Sequence, residues 1–184
     1  MPELAFIALG SNVEPEANLP RAARLLAEIG ALRAVSMAYQ NPAIGPSPAP
    51  DFLNAAVLVE TNLTAEDIRE RLREIESDLG RVRTSDKYAP RTIDLDLCLL
   101  GSQVVETPEL RLPDPDVLTR PHLAITLAEL ASDFPHPVAG EPLAAIAKRL
   151  LPGANLRPRP DVARRMPAPD TETGWTPAAP RGVG

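Results

Sequence analysis

At 184 residues, with 44% hydrophobic and 24% charged side chains, the chain is long enough to bury a substantial core. A formal net charge of −6 excludes a protein that coats nucleic acid or an anionic membrane through a broad basic face, so any phosphate recognition has to be local. The single cysteine, Cys98, rules out an intramolecular disulfide and fits a reducing compartment. The opening MPELAFIALG lacks the basic flank and apolar length of a signal or membrane span, so a soluble, cytoplasmic protein is expected.

In chain order, the apolar run 4–9 (LAFIAL) has the length of a buried strand, and Gly10-Ser11-Asn12 turns out of it. From Glu16, residues Leu19, Ala22, Ala23, Leu26 and Ile29 follow helical spacing, with Gly30 expected as the C-cap. A second strand is expected over 32–39. Prolines at 42, 46, 48 and 50 then make a stiff loop, of a length that usually carries function or is disordered. Phe52–Glu60 reads as a third strand, with Asn54 on the face of Phe52. An amide beside an aromatic at a strand mouth can read a heterocycle, or it can simply cap a loop. Thr64 opens the clearest helix, with a carboxylate at Asp67 and a buried stripe of Ile68, Leu72, Ile75 and Leu79. Gly80 ends it, and Glu76 lies at the edge of the stripe.

The stretch Gly80–Asp96 (GRVRTSDKYAPRTIDLD) holds most of the chemistry. Strand alternation puts Asp94 and Asp96 on one face, with Cys98, and Ile93, Leu95, Leu97 and Leu99 on the other. Two carboxylates side by side repel unless a cation lies between them, and Mg2+ is commonly held by one or two carboxylates plus substrate phosphates. Arg81, Arg83, Lys87 and Arg91 supply charge for a polyphosphate. Beyond the strand, Gly101-Ser102 and QVVE suggest a hairpin, followed by Leu110–Pro113. A helix should start at Pro121 with Ile125, Ala128, Leu130 and Ala131 inward, and another should cover 142–150. Residues 151–184, rich in proline and arginine without apolar periodicity, read as a tail with no core of its own behind a domain over 1–150. The order β-α-β-β-α-β plus hairpin and helices predicts an α+β protein with a ferredoxin-like antiparallel sheet. That fold hosts unrelated functions. An RNA-binding module would need sheet-face aromatics and a basic surface, which are missing, whereas a metal-dependent phosphohydrolase would also use Asp94 and Asp96.

The motifs IALGSN, NPAIGP with DFLNAAV, GRVR, and above all YAPRTIDLDLCLLG, within residues 4 to 135, resemble those of the 6-hydroxymethyl-7,8-dihydropterin pyrophosphokinase family. The resemblance implies transfer of pyrophosphate from ATP to the pterin hydroxymethyl group, giving AMP and the pterin diphosphate in folate biosynthesis. It implies two Mg2+ ions on Asp94 and Asp96, and catalytic roles for Arg81, Arg91 and Asp94. ATP would meet Glu76, Arg83, Arg111 and Arg120, with backbone groups of Leu97 at adenine. Asn41, Pro42, Ile44, Phe52, Asn54 and His122 would form the pterin pocket, Phe52 stacking on one face and His122, where the family usually has Phe, on the other. Asp114-Pro115 stand where many members carry His and an aromatic, and Tyr88 where Trp is frequent. The loop Thr84–Pro90 would close over ATP. A monomer is implied, without nucleic-acid or membrane partners, and with the next folate-pathway enzyme as a functional neighbour.

Overall fold

In a computed structural model of the chain, residues 1–43, 45, 49–86 and 88–171 are described. Strand β1 (Glu3–Ser11) runs through the middle of an antiparallel sheet. It pairs along its whole length with β4 (Phe52–Thr61) and on its other side with β5 (Asp94–Leu100). Strands β2 (Ala31–Val35) and β3 (Tyr39–Asn41) follow one another along the far edge of β4. The expected single strand 32–39 is thus two strands. Ser36 divides them: its N–H donates to the Ala56 carbonyl at 2.9 Å, while its hydroxyl, in place of its carbonyl, accepts the Ala56 N–H at 2.8 Å.

Helix α1 (Pro15–Leu26) ends at Ala27, three residues before the expected cap at Gly30. Gly30 serves a different need: a Cβ there would lie 2.3 Å from the Glu60 carbonyl, so the turn can reach β4 only without a side chain. Helix α2 (Ala65–Asp78) starts as expected. Thr64 accepts the Asp67 N–H at 3.2 Å and the Asp67 carboxylate accepts the Thr64 N–H at 3.3 Å, which satisfies two otherwise orphaned donors. Both helices cover one face of the sheet, burying Leu19, Leu26, Ile68 and Leu72 against Ile7, Leu95 and Leu97. Helices α3 (Pro121–Leu130) and α4 (Leu143–Leu150) cover the other, where Phe6, Leu58, Leu99, Leu127 and Ile146 meet.

Two expectations about facing are corrected. In β5 the register slips by one residue, since Phe6 pairs with Leu99 while Ile7 pairs with Leu97, leaving Cys98 as the extra residue of a bulge. Leu99 therefore joins Cys98 on the α3–α4 side, whereas Ile93, Leu95 and Leu97 face α1 and α2. In α3 the buried residues are Leu123, Ala124, Thr126, Leu127 and Leu130, with Ile125 and Ala128 only partly covered. Thr126 can sit on the buried face because its hydroxyl donates to the His122 carbonyl at 2.7 Å, one turn back.

A hairpin of β6 (Val105–Glu106) and β7 (Arg111–Leu112) follows β5. The C-terminal stretch also folds back. Strand β8 (Arg157–Pro158) pairs with β3, and Val162, in the short helix α5 (Pro160–Ala163), and Met166 are buried in the α1–α2 core. Residues 157–166 thus complete the domain's own core. Among the described residues no helix is long and apolar enough to cross a membrane.

Candidate active site

Register across three strands lays out the floor of a cavity of about 790 Å³. Gly10 pairs with Asp94 on one side and Asn54 on the other, and directly paired residues share a face. Acid, glycine and amide therefore stand in one row. The glycine leaves room for the amide, because a Cβ at Gly10 would lie 3.0 Å from Asn54 Oδ1, tighter than an ordinary contact. One rung deeper, Asp96 pairs with Ala8, and Ala8 with Ala56, so small side chains flank the second carboxylate too.

The expected site residues divide by position. Asn41, Pro42, Phe52, Asn54, Arg91 and Asp94 line the cavity, as do Asp96, Arg120 and His122. Ile44 and Lys87 lie outside the described residues. Glu76 and Leu97 are buried behind the floor. Arg111 lies on the exposed β6–β7 hairpin, 3.4 Å from Glu106, away from the cavity lining. On the amide side, Asn54 donates to the Asn41 side-chain oxygen, which joins β4 to β3.

The charged side is a closed network. Arg81 donates to Asp94 at 2.7 Å and also to Glu76, while Arg91 donates to the other oxygen of Asp94. Glu76, only 3% exposed, further accepts from Arg83 at 2.6 Å and from the Leu95 N–H at 2.8 Å. The buried carboxylate thus fixes two arginines and the start of β5 together. The carboxylate of Asp96 has no hydrogen-bond partner among the described residues, although its backbone carbonyl accepts from Cys98 Sγ at 3.6 Å. Surrounding protein, then the negative charges of Asp94, Asp114 and Glu76, push its carboxyl up to about 7, although the side chain is open to cavity solvent. Burial also raises Asp114, whose carboxylate accepts the Asp116 N–H at 2.9 Å.

Asn12 is the residue that reading the sequence missed. Its side-chain oxygen accepts the Arg91 N–H at 2.7 Å, its own N–H donates to the Arg91 carbonyl at 3.1 Å, and its amide reaches the Pro50 carbonyl at 3.4 Å. It pins the basic loop and the proline loop to the end of β1. The available signal is the GSN motif, in which a turn and a strut look alike in sequence. Tyr88 reaches across the same gap, since a Cβ at Gly45 would lie 2.8 Å from its ring.

Burial and the nearby Arg120 lower His122 to about 4, so the ring is neutral at pH 7. A histidine with a lowered folded pKa binds protons more readily in the unfolded chain, so its contribution to stability is intact above about pH 6.5 and is lost as pH falls toward 4. His122→Phe should therefore flatten part of the fall in melting temperature between pH 6.5 and 4. Parallel pH–melting curves for the parent and the variant would sink this assignment.

A family model described as 7,8-dihydro-6-hydroxymethylpterin-pyrophosphokinase (HPPK) matches residues 6–132. The 2-amino-4-hydroxy-6-hydroxymethyldihydropteridine pyrophosphokinase of Pseudomonas aeruginosa is 35% identical over 137 residues, covering 73% of this chain and 84% of that protein. Its counterpart in Haemophilus influenzae is 33% identical over 133 residues, covering 71% and 82%. Among solved structures, wild-type Plasmodium falciparum HPPK-DHPS with pteroate has a TM-score of 0.65 at 12% identity, over 83% of this chain but only 43% of that longer one, and so bears on the fold alone. With more than half its length matched by the model, and relatives above 30% identity covered over most of their own length, the chain belongs to the 7,8-dihydro-6-hydroxymethylpterin-pyrophosphokinase family.

Proposed function

We propose that this protein transfers pyrophosphate from ATP to the hydroxymethyl group of 6-hydroxymethyl-7,8-dihydropterin in folate biosynthesis. The supporting observation is the row of Asp94, Gly10 and Asn54. It gives one cavity a phosphate end and a heterocycle end two strands apart, or roughly 10 Å.

At the heterocycle end, Asn54, steadied by Asn41, hydrogen-bonds the pterin edge. Phe52 and neutral His122 hold its faces, while Asn41, Pro42 and Ile44 contribute mainly backbone. At the other end Arg81 and Arg91 leave the Asp94 carboxylate for the incoming phosphates, which are stronger acceptors by charge. Arg83 and Arg120 bind further along the polyphosphate, and Glu76 keeps Arg81 and Arg83 in place. Adenine lies on the free edge of β5 at Leu97, with Arg111 reaching ATP only from the hairpin outside the cavity.

Asp94 and Asp96 fit as holders of Mg2+, two ions in this reading. Asp96 is unpartnered, and since no group of three or more acidic, His or Cys ligands is found among the described residues, the remaining coordination would come from phosphates and water. Bound there, the metal would neutralise charge on the transferring phosphates. The pterin oxygen attacks the β-phosphorus, the new O–P bond forms, the bond to the α-phosphate oxygen breaks, and AMP leaves with that electron pair. Asp94, once released by its arginines, accepts the hydroxyl proton. Positioning and charge neutralisation do most of the work in such transfers, and closure of the 84–90 loop over ATP excludes water.

The strand order, β5-β1-β4 with β2 and β3 beyond, supports a ferredoxin-like assignment for the sheet. The protein acts as a cytoplasmic monomer without nucleic-acid or membrane partners, with the next folate-pathway enzyme as its functional neighbour. Incubation with ATP, Mg2+ and hydroxymethyldihydropterin tests the reading. AMP should form only when the pterin is present, and phosphate release without pterin would point instead to hydrolysis.

A further inference from the structure

The segment 157–170 lies beyond the residues matched by the family model, yet it reaches the edge of the proposed pterin pocket. Strand β8 adds to β3 through the pairs Tyr39↔Pro158 and Gln40↔Arg157. Just past it, the Arg159 N–H donates to the Ala38 carbonyl at 2.8 Å, and Nη1 of the same residue donates to Gln40 Oε1 at 2.9 Å. The amide of Gln40 is used at both ends, for its Nε2 donates to Asp51 Oδ2 at 2.8 Å. Gln40 and Asp51 stand at the two ends of the proline loop. Asn41, which orients Asn54, follows the first, and Phe52 follows the second.

We infer that Arg159 is a positioning residue for the pterin pocket, acting through Gln40 and Asp51 to clamp both ends of the proline loop. The inference rests on the proposed pyrophosphokinase reading. The chemistry suits the role. A guanidinium only donates, so it orders the amide of Gln40 with its oxygen toward Arg159 and its NH2 toward Asp51, and one side chain thereby sets the spacing of the loop ends. Arg159 is itself seated by Asp161 at 2.8 Å and Glu16 of α1 at 3.3 Å. The backbone behind it is anchored by buried Val162 and Met166 and by Asp170, which exchanges bonds with Leu32 at 2.7 and 2.9 Å. The C-terminal segment thus braces β2 and β3, the side of the sheet that carries the pterin end of the cavity and lies away from the phosphate end at β5. Among the described residues it reaches the pocket through β3, where Tyr39 pairs with Asn54, and through the loop ends that carry Asn41 and Phe52.

The test uses the full chain with Arg159→Met, Gln40→Met and the double variant, comparing KM for each substrate. Each single change should raise the pterin KM about fivefold, the size expected when hydrogen bonds of modest net strength hold a loop, with kcat and the ATP KM within about twofold. The double variant should be no worse than either single one, because both remove the same connection. Gln40→Met leaves the anchoring of Arg159 intact, so it decides the matter if Arg159→Met folds poorly. An unchanged pterin KM, equal rises for both substrates, or a double effect equal to the product of the singles would overturn the positioning role. A parent chain that forms no AMP would overturn the pyrophosphokinase reading, and the clamp with it, whereas a fully active parent beside unaltered variants would overturn the clamp alone.

Discussion

Asp96→Ala is expected to lower kcat by about a thousandfold or more, because charge stabilisation by a bound cation is worth several kcal/mol and each 1.4 kcal/mol is about tenfold in rate. The pterin end of the cavity does not touch this carboxylate, so binding of hydroxymethyldihydropterin, followed by its fluorescence, should survive. The same variant should be at least as stable as its parent in the absence of ligand. The Asp96 carboxylate has no hydrogen-bond partner among the described residues and faces the negative charges of Asp94, Asp114 and Glu76 as well as Arg81, so its removal breaks no bond of the fold. High activity in Asp96→Ala would sink the metal assignment. A large drop in melting temperature would show instead that the carboxylate supports the fold.

Glu76→Ala is expected to act in the opposite sense on stability. The substitution strands the Leu95 N–H in the core and leaves Arg81, 13% exposed, with only Asp94 as counter-charge. Breaking a buried pair by removing one partner costs about 3 kcal/mol or more, roughly 6–12 °C in melting temperature for a chain of this size. The bond to Arg83 adds little, because that side chain is 62% exposed. Glu76→Gln should recover part of the loss, since its amide oxygen can still accept from Leu95. Thermal melts alongside ATP KM separate this role from direct contact with nucleotide: an unchanged melt with a raised ATP KM would favour the contact.

What the sequence made legible was local. Thr64 with Asp67, Pro121 at a helix start, and the parity of Asp94 and Asp96 are each set by neighbours a few residues away, and periodicity reads such features directly. What it hid depends on contacts between distant segments. Gly30 looked like a helix cap because the approach of Glu60 cannot be seen from sequence. Ile125 looked buried because Thr126 was not credited with satisfying its own hydroxyl through His122. Glu76 looked like an edge residue because the two arginines and the Leu95 N–H that bury it arrive only when the 81–94 stretch folds back over α2. Residues 151–184 read as a tail without a core of its own, and sequence cannot show where such a tail attaches: Val162 and Met166 fill a layer built by the rest of the chain.

The bulge at Cys98 bears on which length changes this strand can absorb. With one residue more than its ladder to β1 requires, β5 can lose Cys98 and become regular, and every carboxylate and leucine keeps its present side. A deletion at Leu95 has no such escape. If the bulge persists, Asp94 swings onto the face packed by α1 and α2; if the bulge closes, Asp96 does. A deletion can therefore enter this strand at Cys98, but not between the two aspartates.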